Sequence, residues 1–281
     1  MSRKKPSMTA RKVALNLITL GSQPEMRAIL PQGIVEATAK LLVASDVVGE
    51  RTIRWARSPQ MVAVYEAFDW MLPGQFEAFG HRKAFCEQQV RDGIKSGAVQ
   101  VLVLGAGFDT LCWRLAAEFP GIIFVEIDHS ATASLKSKGI DGMGRRENLH
   151  LIAEDLGERK LIDVLGANKA WNINGESVII AEGLVMYLTR EAVQSLFSQC
   201  AAIVGTGSRF AFSYIPGGED GRPYVGRWTG LMLWLQNLVG EPWLWSIRPE
   251  GLAFFLQEHG WRERKKDSER HGVEFFAVAT R

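Results

Sequence analysis

The run VQVLVLGAGFDTLCWRLAAEFPGIIFVEID, residues 99–128, decides how the rest of the chain is read. Val99 to Leu104 is a short, largely apolar segment, long enough for a buried strand and too short for a helix that stands alone. Gly105-Ala106-Gly107 then turns the chain, because two glycines one residue apart let the backbone pass close to a ligand in conformations that a side chain forbids. Helical spacing follows at once. Leu111, Leu115 and Phe119 share a face, Asp109 or Thr110 is placed to cap it, and Pro120-Gly121 ends it. A second apolar run, Ile122 to Val125, leads into Glu126 and Asp128. In such a unit the helix N-terminus and the bare turn amides favour an anionic or polar group, and a carboxylate about 20 residues on accepts hydrogen bonds from a ribose. A nucleoside-bearing cofactor is implied. The third glycine of the dinucleotide fingerprint is replaced by Thr110, which argues against NAD or FAD.

The same alternation continues on the C-terminal side. His129 to Lys138 reads as a short helix, Asp141 to Arg146 as a glycine-rich loop, and Leu149 to Ala153 as a third strand ending in Glu154, Asp155 and Leu156. Ser177 to Ala181 is a fourth strand with Glu182-Gly183 at its end, and helix 190–204 with strand 208–213 completes the series. Strands separated by helices at this interval predict a parallel, doubly wound sheet, whose ligands bind at the carboxyl ends of the strands. Gly105, Gly107, Glu126, Asp128, Asp155 and Glu182 all fall at those ends. Any one of these carboxylates could be a solvated loop residue; four strand ends in succession carrying them exceed what turn chemistry requires.

Residues 10–96 are patterned as helices, with breaks at Gly21 to Pro24, Pro31 to Gly33, Pro59 and Pro73-Gly74. The last of these helices, about Gln75 to Lys95, places Phe79, Cys86, Val90 and Ile94 on one face and Arg82 just off it. After a break at Pro216 to Gly221, the stretch from Tyr224 to Trp245 holds four of the nine tryptophans, with Arg227, Leu231, Trp234 and Leu238 at helical spacing. It reads either as an insertion helix packing aromatics into the core or as the wall of an acceptor pocket. Helix 249–259 and two alternating segments, 262–268 and 273–280, close the chain as a terminal β-hairpin. The expected layout over 1–281 is therefore one domain: a helical leader (1–97), a cofactor-binding core (98–214), a helical insertion (215–248), and a last helix with the hairpin (249–281).

Composition narrows the partners. A net charge of +2 gives no reason to invoke nucleic acid or a membrane surface, and no stretch approaches 18 consecutive apolar residues. The basic start MSRKK and the apolar VALNLITL resemble a secretion signal, but the apolar run is short, contains Asn16 and lacks a small-residue cleavage site, so a cytoplasmic chain is expected. Cys86, Cys112 and Cys200 are far apart and form no C-x-x-C pair; they read as buried thiols, with neither a disulfide nor a metal site.

The series LGAGFDTLCWRL, VEID, EDL and AEGLVMYL, in that order, resembles the leucine carboxyl methyltransferase family, which includes polyketide O-methyltransferases. GSRFAFSY and GEPWLWSIRPEGLAFFLQEHGW are similar to its later blocks, so the resemblance runs from about Arg82 to the end. It implies a Rossmann-like class I methyltransferase fold, with a seven-stranded, mostly parallel sheet finished by an antiparallel hairpin, and S-adenosyl-L-methionine as cofactor. It further implies that Arg82, in HRKAF, holds the cofactor carboxylate and that Gly105 and Gly107 face the methionine moiety. Glu126 and Asp128 would bind the ribose, Asp155 and Leu156 the adenine, and Glu182 would lie near the amino and sulfonium end. The chain departs from the family pattern at His129, where a small polar residue before proline is frequent.

The expected activity is methyl transfer to a carboxylate or hydroxyl oxygen of a small molecule or a peptide carboxyl. Displacement at a sulfonium depends on alignment, and a carboxylate acceptor needs no base. His81 and Tyr187 are near the relevant motifs, but no spacing identifies a catalytic base. Tyr187 and Trp228 are candidate acceptor-side aromatics able to meet a sulfonium through cation–π attraction. The competing readings are an NAD(P)-dependent oxidoreductase and a catalytically silent cofactor-binding protein.

Overall fold

A computed structural model describes residues 6–69, 74–238 and 240–281. The basic residues at 3–5 and the predicted break at Pro73 lie outside the described residues. The leader folds as α1 (Met8–Leu20), α2 (Pro24–Ile29), α3 (Ile34–Ala44), α4 (Glu50–Ala56), α5 (Pro59–Asp69) and α6 (Gln75–Ser96). Then come β1 (Gln100–Leu104), α7 (Leu111–Glu118), β2 (Ile123–Asp128), α8 (Ser130–Met143), β3 (Leu149–Ala153), α9 (Leu161–Gly166), β4 (Ser177–Ala181), α10 (Arg190–Ala202) and β5 (Arg209–Tyr214). The chain closes with α11 (Thr229–Leu238), α12 (Pro249–Glu258), β6 (Arg262–Glu263), β7 (Glu269–His271) and β8 (Glu274–Thr280).

The sheet order is β3-β2-β1-β4-β5-β8-β6, with β7 also on β8. β1 to β5 are parallel and β8 runs antiparallel to β5. The order reverses between β2-β1 and β4, so the ends of β1 and β4 face one crevice. β1 and β4 are buried along their whole length because helices cover both faces of the sheet. Alternate residues therefore feed different cores. Leu102, Leu104, Ile179 and Ala181 meet residues of α9, α10 and α12, whereas Val101, Val103, Val178 and Ile180 meet those of α6 and α7.

Two differences from the sequence reading have local causes. The predicted loop at 141–146 is helical as far as Met143, because the glycines there admit a neighbouring helix. A Cβ on Gly139 would stand 2.7 Å from a Leu41 methyl and 3.0 Å from the Leu41 carbonyl oxygen, and one on Gly142 3.3 Å from the Ala44 Cβ. The hairpin's first arm is interrupted by a 3₁₀ turn at Lys265–Asp267, which splits it into β6 and β7 and makes eight strands in place of seven.

The leader takes part in the crevice. Phe108, from the turn after β1, sits in an apolar cluster with Ala14 and Ile18 of α1, Leu41 and Leu42 of α3, and Ile140 of α8. This cluster fastens α1 over the carboxyl ends of the strands, where the glycine turn lies. Ser7 secures the start of α1 on two sides: its N–H donates to Thr132 Oγ1 at 3.1 Å and its hydroxyl to Glu241 Oε1 at 3.1 Å.

Candidate functional site

Two cavities meet at the ends of β1 and β4. The first, about 70 Å³, is bordered by the turn from Leu104 to Asp109, by Ile180, Glu182 and Gly183, by Arg82 and Lys83 of α6, by Ala10, Val13, Ala14 and Leu17 of α1, and by Thr38 of α3. The second, about 210 Å³, is lined by Phe79, Met186, Tyr187, Met232, Trp243 and Val273, with Lys12, Asn16, Gln75 and Gln236 as polar contributors. Val13, Arg82 and Gly183 border both.

A buried ion network forms the wall between them. Arg82, 4% exposed, donates through Nε to Glu182 Oε1 at 2.8 Å and through Nη1 to both carboxylate oxygens of Glu274 at 2.9 and 3.0 Å. Lys83 Nζ pairs with Asp109 and, at 2.8 Å, with Glu182 Oε1. The turn after β4 permits this packing because Gly183 lies at φ 60°, with the Arg82 guanidinium 3.4 Å from where a Cβ would stand. Burial works against charge on Arg82 and Lys83, but the facing carboxylates outweigh it and raise both above their ordinary values. Burial likewise opposes ionisation of Asp109, and Lys83 overrides it, holding the carboxyl below its usual range. Two cations against three carboxylates leave the network with one negative charge.

The ends of β2 and β3 are built differently. Asp128 accepts the Gly107 N–H at 2.5 Å through Oδ2 and the His129 N–H at 2.7 Å through Oδ1, so the end of β2 holds the glycine turn in place. Each oxygen keeps a lone pair for a further donor. Burial raises the Asp128 carboxyl, against the pull of those amides. Asp155 accepts the Gly157 N–H at 2.8 Å, its other oxygen stands 3.8 Å from His129 Nε2, and its side chain is one-third exposed. Leu156 packs against the core beneath it.

The structure brings Arg82, Gly105, Gly107 and Glu182 to one cavity, and ties Asp128 to the turn that forms its floor. It does not bring Glu126 there. Glu126 shares a face with Asp128 but sits one pleat deeper, 2% exposed and 2.6 Å from Lys136 Nζ of α8. Burial raises its carboxyl, and Lys136 opposes that rise. Its carboxylate is engaged in an internal ion pair under α8.

On the acceptor side, Tyr187 lines the second cavity, while Trp228 borders neither cavity and lies under the Arg227 guanidinium at 5.3 Å. The predicted stripe of Leu231, Trp234 and Leu238 points outward, at 37%, 57% and 64% exposure; the cavity is met by Met232 and Gln236. The tryptophans of the insertion divide: Trp243 walls the second cavity, and Trp245 packs in the core against Tyr214 and Phe255. His81 stacks on His271 with ring centroids 4.1 Å apart, a packing role at the hairpin. Sequence reasoning passed over Lys83, Glu274 and the ion-pairing of Asp109. The adjacent cations in HRKAF and the lone acid opening the apolar strand EFFAVAT were the available signals.

Among the described residues, no group of three or more His, Cys, Asp or Glu could hold a metal, and no helix is long and apolar enough to cross a membrane. The three cysteines are free and buried.

The family model described as leucine carboxyl methyltransferase matches residues 33–201, reaching into the leader that the motif resemblance left out. A Mycobacterium marinum protein named "Putative S-adenosyl-L-methionine-dependent methyltransferase" is 30% identical over 74% of this chain and 70% of its own length. A Bacillus subtilis protein with the same description and the suffix YktD is 30% identical over 47% of this chain and 44% of its own length. Among solved structures, an O-methyltransferase family protein from Burkholderia thailandensis superposes with a TM-score of 0.50 at 14% identity, over 72% of this chain and 60% of that one. The structure described as "PigF with SAH" gives 0.51 at 17% identity, over 76% and 62%. The two superpositions speak for the fold. The chain spans between less than half and about seven tenths of the length of these relatives.

Proposed function

We propose that this chain, which belongs to the leucine carboxyl methyltransferase family, transfers the methyl group of S-adenosylmethionine to a carboxylate oxygen of a small molecule. The observation that carries the proposal is the buried network of Arg82, Lys83, Asp109, Glu182 and Glu274 at the junction of the two cavities. Its single net negative charge complements a ligand that bears a sulfonium, an ammonium and one carboxylate. The residues fit that ligand: Arg82 and Lys83 suit the carboxylate, Glu182 and Asp109 the ammonium, Asp128 the ribose, and Asp155 with Leu156 the adenine. The missing third glycine and the family membership both weigh against the oxidoreductase reading.

The cofactor supplies an activated methyl group, and the protein's part is alignment, which can account for much of the rate. The second cavity receives the acceptor. Phe79, Met186, Met232 and Trp243 exclude water from its apolar part, while Lys12, Asn16, Gln75 and Gln236 orient polar substituents. The acceptor oxygen enters at the shared border, beside Arg82 and Gly183.

The preference for a carboxylate follows from the acceptor cavity's own lining. Glu274 is committed to Arg82, burial pushes the Tyr187 phenol above its ordinary range, and His81 is stacked elsewhere. None of these three groups is thus poised to act as a base on the acceptor, which suits a nucleophile that is already ionised.

The first cavity, as closed by α1, has room for only a few waters. Admission of the cofactor therefore requires α1 to move outward. The test of function is a transfer assay with methyl-labelled cofactor against carboxylic acids, phenols and a peptide C-terminus. Base-labile label on small carboxylic acids is expected. Label confined to phenols would move the assignment to hydroxyl acceptors, and cofactor binding without label on any acceptor would favour a catalytically silent protein.

A further inference from the structure

Three buried or half-buried hydroxyl groups of the leader are satisfied by a carbonyl one turn back. Thr19 Oγ1 donates to the Leu15 carbonyl at 3.3 Å, Ser22 Oγ to Ile18 at 3.3 Å, and Ser45 Oγ to Leu41 at 2.6 Å. Each is the ordinary bond from a helical serine or threonine to the carbonyl one turn back. Thr38, in the middle of α3, makes no such bond. It is 1% exposed, and its Oγ1 has no hydrogen-bond partner among the described residues. Buried hydroxyls are rarely left so, because an unmet polar group forfeits its hydration without return.

Thr38 also borders the first cavity, together with Arg82, Lys83, Phe108 and Asp109. Around that cavity the cations come from α6 and the acids from the strand ends; α1 contributes Ala10, Val13, Ala14 and Leu17, none with a side-chain donor. Thr38 is the polar contribution of α1 and α3 to an otherwise apolar roof. We propose that Thr38 Oγ1 is a binding residue for S-adenosylmethionine, donating a hydrogen bond to the cofactor carboxylate that Arg82 and Lys83 attract. The assignment rests on the cofactor reading above. It gives α3, three helices upstream of Arg82, a direct part in recognition and explains why the buried hydroxyl has no partner of its own.

The test uses the whole chain and isothermal titration, with melting temperature as a second readout. Thr38→Val keeps the shape of the side chain and removes the hydroxyl. A hydrogen bond to a charged group predicts about a tenfold weaker binding of S-adenosylmethionine by this variant. Decarboxylated S-adenosylmethionine, which keeps the nucleoside, sulfonium and ammonium, should bind the variant and the wild type equally. Thr38→Ser, which retains the hydroxyl, should recover most of the affinity, and the melting temperature of unliganded Thr38→Val should be unchanged or higher. Undiminished affinity of Thr38→Val for S-adenosylmethionine would overturn the proposal, as would an equal loss for both probes or a lowered melting temperature with unchanged binding. Failure of the wild-type chain to bind S-adenosylmethionine would defeat the cofactor reading itself, a separate outcome.

Discussion

The two ends of the cofactor crevice are built on opposite plans. At the end bordered by α6, Arg82, Lys83, Glu182 and Glu274 come from distant parts of the chain and are locked together out of water before any ligand arrives. At the ends of β2 and β3, Asp128 and Asp155 are held mainly by amides within their own loops or the adjoining turn, and Asp155 is one-third exposed. The first arrangement is part of the fold's stability, since a buried ion network left with one partner missing is costly. In the second, Asp128 holds the glycine turn, whereas Asp155 can be altered with little consequence for folding. One end of the crevice is thus built from groups the fold depends on, and the other includes a carboxylate it can spare.

The largest effect that would sharpen this contrast belongs to Arg82→Ala. It strands Glu274 and leaves Glu182 with Lys83 alone, and about 3–5 kcal/mol of unfolding free energy should be lost in a denaturant titration. A loss below about 1 kcal/mol would break the contrast. Lys83→Met should cost less, about 2–3 kcal/mol, because Glu182 keeps Arg82 while Asp109 loses its pairing cation. This deficit carries a pH signature. The Asp109 carboxyl lies below its ordinary 3.8 in the folded wild type, so its contribution is present above that value and is lost as the pH falls toward the lowered one. The wild-type advantage over Lys83→Met should shrink across that acidic window, as read by melts at successive pH values.

At the other end, Asp155→Ala should weaken S-adenosylmethionine binding by about tenfold in calorimetry, while unfolding free energy stays within about 0.5 kcal/mol of wild type. Wild-type affinity in that variant would remove Asp155 from the adenine site. The smallest effect is expected for Tyr187→Phe, which should retain turnover of a carboxylic acid within about threefold because no proton need be taken from the acceptor. A loss of a hundredfold or more would require Tyr187 to act on the proton and would contradict the carboxylate preference.

The same contrast explains what could be read from sequence. The strand, glycine turn, helix and acidic strand end of 99–128 are encoded locally, by period and by turn residues, and the structure reproduces the unit with β2 extended through Asp128. Asp155 and Leu156 follow from the end of β3 in the same way. The ion network was only half legible, because Arg82 and Glu274 are 192 residues apart and their meeting depends on where the antiparallel β8 enters the sheet. The burial of Glu126 was not legible because alternation sets its face and not its depth; its pairing with Lys136 of α8 lies in a segment that reads as a short helix. The glycines of α8 suggested a loop, whereas they create space for α3. Helical patterning in the leader showed that those helices pack, but nothing in it told that α1 would roof the glycine turn.

The most direct measurement is isothermal titration of the unmodified chain with S-adenosylmethionine, with amide hydrogen exchange of α1 recorded across the same titration. One molecule bound per chain is predicted, with altered protection in residues 8–20 as the roof opens and recloses on the ligand. Absence of binding heat together with unchanged exchange in α1 would contradict the account.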